Sequence, residues 1–196
     1  MWKAMTAELY LRPLHKNLRQ CGRCAAGIYA EDQRMMTQVM INPAELSAET
    51  MMPKLVCFVC TGNTCRSPMA AAVFNQLAEE NKLPMRAVSA GLYVNELSIA
   101  DNAVRALEAA GIESTPANPY RSHIACNLSE HLAVQCERIV GISTAHAFEL
   151  ITRFPRLAGR IAAMPRDISD PYGGDLERYQ QCLREITEGI REMFAL

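Results

Sequence analysis

Two reactive side chains, Cys60 and Arg66, enclose a segment of small and polar residues. The enclosed residues are Thr61, Gly62, Asn63, Thr64 and Cys65. Gly62 and Asn63 suit a tight turn, and consecutive backbone amides in such a turn can bind an anion. The Cys60 thiol would face that anion, and the Arg66 guanidinium could bind two of its oxygens. This pattern predicts a cysteine-dependent phosphatase.

The elements around this segment are predicted to be a strand and a helix. Residues 55–59 form an apolar run that is long enough for one buried strand. Ser67 suits the N-cap of a following helix, and Pro68 suits its first position. The end of a strand, a loop of exposed amides and a helix N-terminus together form an anion site.

A second segment, residues 167–174, supplies candidate general acids. It follows the last predicted strand and would therefore lie over the same edge of a parallel sheet as Cys60. A phosphatase needs an acid to protonate the departing oxygen or nitrogen. Asp170 is the better candidate because Pro171 stiffens its backbone, and Asp167 is the alternative.

From residue 54 onward, predicted strands alternate with predicted helices. The strands are residues 55–59, 86–90, 138–142 and 160–164. The first three predicted helices are residues 68–80, 99–110 and 128–134. A fourth is capped by Ser143 and runs to residue 154, and a fifth runs from about residue 175 to the C-terminus. Residues 113–127 are predicted to be a loop. This alternation indicates an α/β fold with a parallel sheet covered on both faces.

Composition restricts the partners and the compartment. The formal net charge of the 196 residues is −1, which argues against nucleic acid as the main partner. No run of about 18 apolar residues occurs, so no membrane span is expected. The eight cysteines are scattered along the chain, which favours a reducing cytoplasm with most of them packed in the core. Nothing in the sequence determines the oligomeric state.

Residues 1–53 differ from the rest and are predicted to be a poorly ordered extension before a catalytic domain of residues 54–196. They show no sustained helix or strand period. Cys21 and Cys24 form a C-x-x-C pair, but zinc would need a second ligand pair that His15 alone does not supply. Met51 and Met52 precede the first strand, so an over-long gene start is one explanation for the extension.

The segment Cys60-Thr-Gly-Asn-Thr-Cys-Arg-Ser-Pro68, together with Asp170-Pro171-Tyr172, resembles the low-molecular-weight protein-tyrosine phosphatases. The resemblance covers about residues 54–195. Thr64 and the Asp-Pro-aromatic-Gly-Gly sequence are more similar to the bacterial protein-arginine phosphatases, since tyrosine-directed members usually carry a bulkier aliphatic residue in place of Thr64. The resemblance implies a four-stranded parallel sheet with helices on both faces, no metal and no cofactor.

The resemblance also implies roles for individual residues. Cys60 would be the nucleophile that forms a phosphocysteine, Arg66 would bind the phosphoryl group, and Asp170 would act as general acid and then as base. The other residues of the phosphate-binding loop would be Thr61, Gly62, Asn63, Thr64, Cys65 and Ser67. Asn63 and Ser67 would orient the loop and stabilise the thiolate.

Further residues would support the loop. Ser89 matches the family serine that holds Asn63 in its unusual conformation, and His123 matches a loop-supporting histidine. Cys126 departs from the family pattern, where many relatives carry arginine, and residues 141–144 replace a turn that often contains methionine. Both departures lie outside the catalytic loops. His131 and His146 are predicted to be solvated helix positions.

The expected substrates are phosphorylated proteins, with phosphoarginine favoured over phosphotyrosine. The Thr64 hydroxyl and the Asp170 carboxylate could hydrogen-bond a guanidinium, whereas Tyr93 and Tyr172 could supply aromatic walls for a phosphotyrosine ring. Cys65 lies across the loop from Cys60 and is expected to form a reversible protective disulfide with it.

Two other functions remain open. An arsenate reductase of related fold would need further cysteines as an electron relay, and Cys126 and Cys136, ten residues apart, are not obviously such a relay. A redox-sensing or anion-binding module without turnover would not need Asp170. We expect Cys57 to be a core residue, because in a strand it points away from the face of Cys60.

Overall fold

The computed structural model describes residues 53–196. The predicted extension, with Cys21 and Cys24, therefore lies outside the described residues apart from Pro53. In the described part, a sheet of parallel strands has the order β2-β1-β3-β4. The strands are β1 Lys54–Cys60, β2 Met85–Gly91, β3 Cys136–Gly141 and β4 Ile161–Ala163. This confirms the predicted α/β class and the parallel sheet.

Five α-helices connect and cover the strands of the described part of the chain. They are α1 Arg66–Glu80, α2 Asp101–Ala109, α3 Glu130–Gln135, α4 Thr144–Arg153 and α5 Leu176–Phe194. Two 3₁₀-helices, Tyr120–Ser122 and Pro155–Arg160, lie in connecting segments. The first occupies part of the predicted loop, and the second takes Arg160 out of the predicted fourth strand, which is correspondingly shorter.

The apolar run of β1 is continuous because the sheet is covered on both faces. Val56, Phe58 and Cys60 contact a core cluster that includes side chains of α1, α2 and α5. Cys57 and Val59 point to the other face, where they pack in a second cluster. Cys57 is therefore a core residue on the face opposite Cys60, as predicted.

The position of β1 determines where the loop after it lies. β1 pairs with β2 on one side and with β3 on the other. The chain therefore leaves β1 at the point where the strand order reverses, and ligands of open parallel sheets bind at such a point. Among residues 53–196, none of the helices is both long and apolar enough to cross a membrane.

Candidate active site

Cys60 is the last residue of β1 and is almost completely buried, with 3% of its surface exposed. The backbone N–H of Asn63 donates to Cys60 Sγ at 3.3 Å, so the loop curls back over the thiol. Asn63 has a φ of 57°, in the left-handed region that non-glycine residues adopt only occasionally. The loop therefore needs contacts that hold Asn63 in this conformation.

The Asn63 side chain and carbonyl supply those contacts. Its Nδ2 donates to Ser67 Oγ and to Ser89 Oγ, both at 2.9 Å. Its Oδ1 accepts from the backbone N–H of Cys126 at 3.0 Å, and its carbonyl oxygen lies 2.9 Å from His123 Nε2. Burial lowers the pKa of His123, and this favours the neutral ring that donates from Nε2 to the carbonyl. Three separate segments thus fix one loop residue.

Ser67 does not cap α1, so the predicted N-cap is wrong. The helix begins at Arg66 after Cys65, and Cys65 makes no side-chain capping bond within the described structure. The Ser67 hydroxyl turns inward instead, 3.0 Å from Cys60 Sγ and 3.2 Å from the carbonyl oxygen of Ala90. The Ser67 hydroxyl therefore lies in hydrogen-bond contact with the thiol and does not cap the helix. The N–H groups in the first turn of α1 remain available to bind an anion.

Arg66 links the loop to the segment that contains the candidate acids. Its side chain is largely buried, and Nη2 donates to Asp170 Oδ2 at 2.5 Å. Its Nη1 lies 3.5 Å from the carbonyl oxygen of Ile168. The Asp170 side chain is 53% exposed and faces a cavity shared with Cys60. The structure therefore brings Cys60, Arg66 and Asp170 to one place.

Asp167, the alternative acid, is used elsewhere. Its Oδ1 accepts from the backbone N–H of Thr144 at 2.7 Å and from the Thr144 hydroxyl at 2.8 Å. These two hydrogen bonds hold the pKa of Asp167 below its usual value. Asp167 thus anchors the first residue of α4, and it is not among the residues that line the cavity.

The cavity has a volume of about 310 Å³. Its lining residues are Cys60, Thr61, Gly62, Thr64, Cys65, Arg66, Tyr93, Asn95, Glu96, Asp170 and Tyr172. Tyr93 and Tyr172 are both more than half exposed and stand at its mouth. Tyr172 donates its hydroxyl to Glu96 Oε1 at 2.7 Å, and Tyr93 donates to Glu149 Oε1 at 3.0 Å. The mouth therefore carries aromatic rings and carboxylates together.

His146 is a member of this region that sequence reasoning missed. His146 lies in α4 and is buried, so the prediction of a solvated helix position is wrong. Its Nε2 lies 3.0 Å from Thr61 Oγ1, and its Nδ1 lies 2.7 Å from Ser143 Oγ. Burial is the main reason that its pKa is lowered, and Arg66 lowers it further. One signal was available, since Ser143 and His146 follow β3, whose carboxyl end lies beside that of β1.

The other cysteines occupy two different environments. Cys65 Sγ lies 3.2 Å from the Tyr179 hydroxyl and 3.5 Å from Thr64 Oγ1, and burial raises the pKa of its thiol. Cys60 and Cys65 are both free thiols in the structure. Cys136 packs with the core cluster on the opposite face of the sheet, and its thiol lies 3.2 Å from the Leu132 carbonyl oxygen. That location gives Cys136 no contact with the Cys60 loop.

Known proteins share this architecture. The chain is 30% identical over 151 residues to the protein-arginine-phosphatase of Bacillus subtilis, covering 70% of this chain and 93% of that protein. It is 32% identical over 153 residues to low molecular weight protein-tyrosine phosphatase A of Mycobacterium tuberculosis, covering 70% of this chain and 88% of that protein. A solved structure of the YwlE arginine phosphatase, a mutant with a phosphorylated active-site serine, aligns with a TM-score of 0.64. The sequence identity to that structure is 28%, and the alignment covers 71% of this chain and 92% of the other.

A family model also matches the chain. The model described as low molecular weight phosphotyrosine protein phosphatase matches residues 55–196. The matched span begins at the second residue of β1 and contains the Cys60 loop, the Asp170 segment and α5. The chain belongs to the low molecular weight phosphotyrosine protein phosphatase family.

Proposed function

We propose that this protein is a metal-independent cysteine phosphatase that removes phosphoryl groups from protein side chains, with phosphoarginine preferred over phosphotyrosine. The observation that carries the proposal is the convergence of Cys60, Arg66 and Asp170 on one cavity, with Asp170 2.5 Å from the guanidinium. The cysteines of the described residues are free thiols, which is typical of a reducing compartment. We therefore place the protein in the cytoplasm.

In the first step, the Cys60 thiolate attacks phosphorus. The new bond joins Sγ to phosphorus, and the bond from phosphorus to the substrate oxygen or nitrogen breaks with its electron pair going to the leaving group. Asp170 donates a proton to that leaving group. Arg66 and the loop amides stabilise the charge on the equatorial oxygens of the loose transition state. The guanidinium has five N–H donors, so it can serve both Asp170 and a phosphoryl oxygen.

In the second step, water hydrolyses the phosphocysteine. Asp170, now a carboxylate, accepts a proton from the attacking water. The phosphorus–sulfur bond breaks, inorganic phosphate leaves, and the Cys60 thiolate is restored with Ser67 and Asn63 beside it. This is a covalent route in two stages.

Thr64 supports the arginine preference. Its side chain lines the cavity and is buried, with 6% of its surface exposed. A threonine hydroxyl can accept a hydrogen bond from a guanidinium N–H, and an aliphatic side chain cannot. Tyr93 and Tyr172 at the mouth are compatible with phosphotyrosine, which is why that substrate is the second candidate.

The test compares matched phosphoarginine and phosphotyrosine peptides, with EDTA and a reductant present. Wild-type protein should hydrolyse both without added metal, and Cys60→Ser should hydrolyse neither. Thr64→Ile should move the ratio of kcat/KM values towards phosphotyrosine, whereas Thr152→Ile on the exposed surface of α4 should not. Unchanged activity in Cys60→Ser would overturn the proposal as a whole.

Regulation by oxidation is part of the proposal. Cys60 and Cys65 lie at the two ends of the same loop, and both are free thiols with 3% of their surface exposed. Peroxide would oxidise the Cys60 thiolate, and Cys65 would then trap the product as a disulfide.

A further inference from the structure

Glu96 is a carboxylate at the mouth of a cavity that is otherwise arranged to bind an anion. It belongs to the segment between β2 and α2, and it lines the cavity with Cys60 and Arg66. The Tyr172 hydroxyl donates to Glu96 Oε1 at 2.7 Å. A negative charge in this position needs an explanation, because it repels the phosphoryl group of any substrate that enters.

Tyr172 connects Glu96 to the proposed general acid. The backbone N–H of Tyr172 donates to Asp170 Oδ1 at 3.2 Å, while its side-chain hydroxyl holds Glu96. The Glu96 carboxylate is therefore held beside the path of the substrate side chain. The hydrogen bond to Glu96 is also the main reason that the pKa of Tyr172 is raised.

Within the described part of the chain, no basic side chain neutralises the charge of Glu96. Glu149, which receives the hydroxyl of Tyr93, is paired with Arg153 at 2.7 Å. Within residues 53–196, no lysine or arginine lies within ion-pair distance of Glu96. Of these two carboxylates near the mouth, Glu149 has an ion-pair partner, whereas Glu96 is available to a positively charged group of the substrate.

The two candidate substrates differ in what they bring to this carboxylate. The ring of a phosphotyrosine is uncharged, so nothing in it offsets the repulsion between Glu96 and the phosphoryl group. A phosphorylated guanidinium keeps a delocalised positive charge and N–H donors next to its phosphoryl group. Guanidinium and carboxylate groups form charge-assisted hydrogen bonds of well-matched geometry.

We propose that Glu96 is a specificity-determining residue that selects substrates whose phosphorylated side chain is itself a guanidinium. The inference rests on the proposed phosphatase function and deepens it. Thr64 would contact the guanidinium near the base of the cavity, and Glu96 would do so at the mouth, held in place by Tyr172.

The decisive variant is Glu96→Gln, which removes the charge and keeps an oxygen that accepts from Tyr172. Matched phosphoarginine and phosphotyrosine peptides with uncharged flanking residues restrict the positive charge to the phosphorylated side chain. The ratio of kcat/KM for phosphoarginine to that for phosphotyrosine should fall about two- to fivefold, the range of a partly exposed charge pair. Raising the salt concentration should lower the wild-type ratio and leave the variant ratio nearly constant.

Two further variants separate charge from other effects. Tyr172→Phe keeps the Glu96 charge and the aromatic ring but removes the tether, so it should retain more of the preference than Glu96→Gln does. Glu137→Gln, a remote carboxylate paired with Lys54, should leave the ratio at the wild-type value. A second peptide pair with an arginine beside the phosphorylated residue shows whether Glu96 recognises a flanking cation instead.

The outcomes distinguish this inference from the function on which it rests. If wild-type protein does not hydrolyse the phosphoarginine peptide, the arginine-directed function and this inference both fail. If the peptide is hydrolysed and Glu96→Gln leaves the ratio unchanged, this inference alone is overturned. It is also overturned if Tyr172→Phe lowers the ratio as much as Glu96→Gln, or if Glu96→Gln affects only peptides with a flanking arginine.

Discussion

The Ser67 hydroxyl and the Cys60 thiol lie 3.0 Å apart, one on the second residue of α1 and the other on the last residue of β1. Ser67 Oγ also accepts a hydrogen bond from Asn63 Nδ2 at 2.9 Å. Its single proton can go either to Cys60 Sγ or to the Ala90 carbonyl oxygen at 3.2 Å. A negative thiolate is the stronger acceptor, so ionisation of Cys60 should draw that proton towards sulfur.

We expect Ser67→Ala to lower kcat/KM by about 10- to 100-fold, because a hydrogen bond to a charged group contributes about 1.5–3 kcal/mol. Alkylation of Cys60 by iodoacetamide at neutral pH should slow as well, since less thiolate would be present. Ser122→Ala, which removes an exposed hydroxyl that donates to the nearby Pro119 carbonyl oxygen, serves as the control. Equal alkylation rates in Ser67→Ala and wild type would show that this hydroxyl does not stabilise the thiolate.

Asp170 and Asp167 form a matched pair for testing the general acid. Asp170→Asn should lower kcat by about 10²- to 10⁴-fold on phosphorylated peptides, because the leaving group then departs without a proton. The loss should be smaller on para-nitrophenyl phosphate, whose leaving group needs less help. Asp170 has two hydrogen bonds to its oxygens, from Arg66 and Tyr172, so circular dichroism should confirm that the variant is folded.

Asp167→Asn should have the opposite profile, with kcat close to that of wild type. Asp167→Ala should also keep kcat close to that of wild type but should lower the free energy of unfolding, because alanine removes the oxygen that accepts from the first N–H of α4, whereas asparagine retains it. Urea titration measures this loss. A large drop in kcat for Asp167→Asn, with Asp170→Asn active, would reverse the assignment of the two acids.

The sequence carries local information about the Cys60 loop, and this is why its placement could be predicted. An apolar strand, a Gly-Asn turn and a Ser-Pro helix start are adjacent in the chain, and the parallel-sheet rule then places the Asp170 segment at the same edge. The direction of one side chain was not predictable in this way. Ser67 has the sequence features of an N-cap, but the buried thiol beside it offers a competing partner that only the folded chain reveals.

Contacts between segments that are distant in the chain explain the site features that the sequence did not predict. His146 is 85 residues from Thr61 in the chain, so the hydrogen bond between them leaves no periodic signal. Glu96 and Tyr172 meet only because the segments after β2 and β4 reach the same mouth. Asp167 and Asp170 have similar sequence surroundings, and the tertiary contact of Asp167 with Thr144 is what separates them.

Stability should decline on mild acidification because two histidines are held neutral. Burial lowers the pKa of both His146 and His123. In the unfolded chain both would titrate near about pH 6.5. Below that value the unfolded chain binds more protons than the folded protein does, so the free energy of unfolding falls as the pH falls. Above it, both histidines are neutral in either state and the full stability is present.

Urea titrations from about pH 7.5 to about pH 5 measure this slope. His146→Gln should make this slope shallower, because glutamine does not titrate and only the contribution of His123 remains. Asp167 acts in a separate window, since its pKa is lowered and its contribution is lost only when the pH falls through the carboxylate range. An identical slope in His146→Gln and wild type would show that His146 does not contribute to the loss of stability at low pH.

Cys65 should make oxidative inactivation reversible. Hydrogen peroxide converts the Cys60 thiolate to a sulfenic acid, and the Cys65 thiol then attacks that sulfur, releasing water and forming a disulfide. Burial raises the pKa of Cys65, so it stays a thiol and is not itself the first target of peroxide. After brief peroxide treatment, dithiothreitol should restore most of the activity of the wild-type protein.

Cys65→Ser should lose this protection. Its sulfenic acid at Cys60 has no resolving thiol and is oxidised further to the sulfinic acid, which dithiothreitol does not reduce. Cys182→Ser tests whether another buried thiol would serve in place of Cys65, and burial raises the pKa of Cys182 to about 12. The recovered activity should therefore be high for wild type and Cys182→Ser and low for Cys65→Ser. Equal recovery in all three would mean that another thiol, or none, protects Cys60, and Cys65 would then be only a packing residue beside Tyr179.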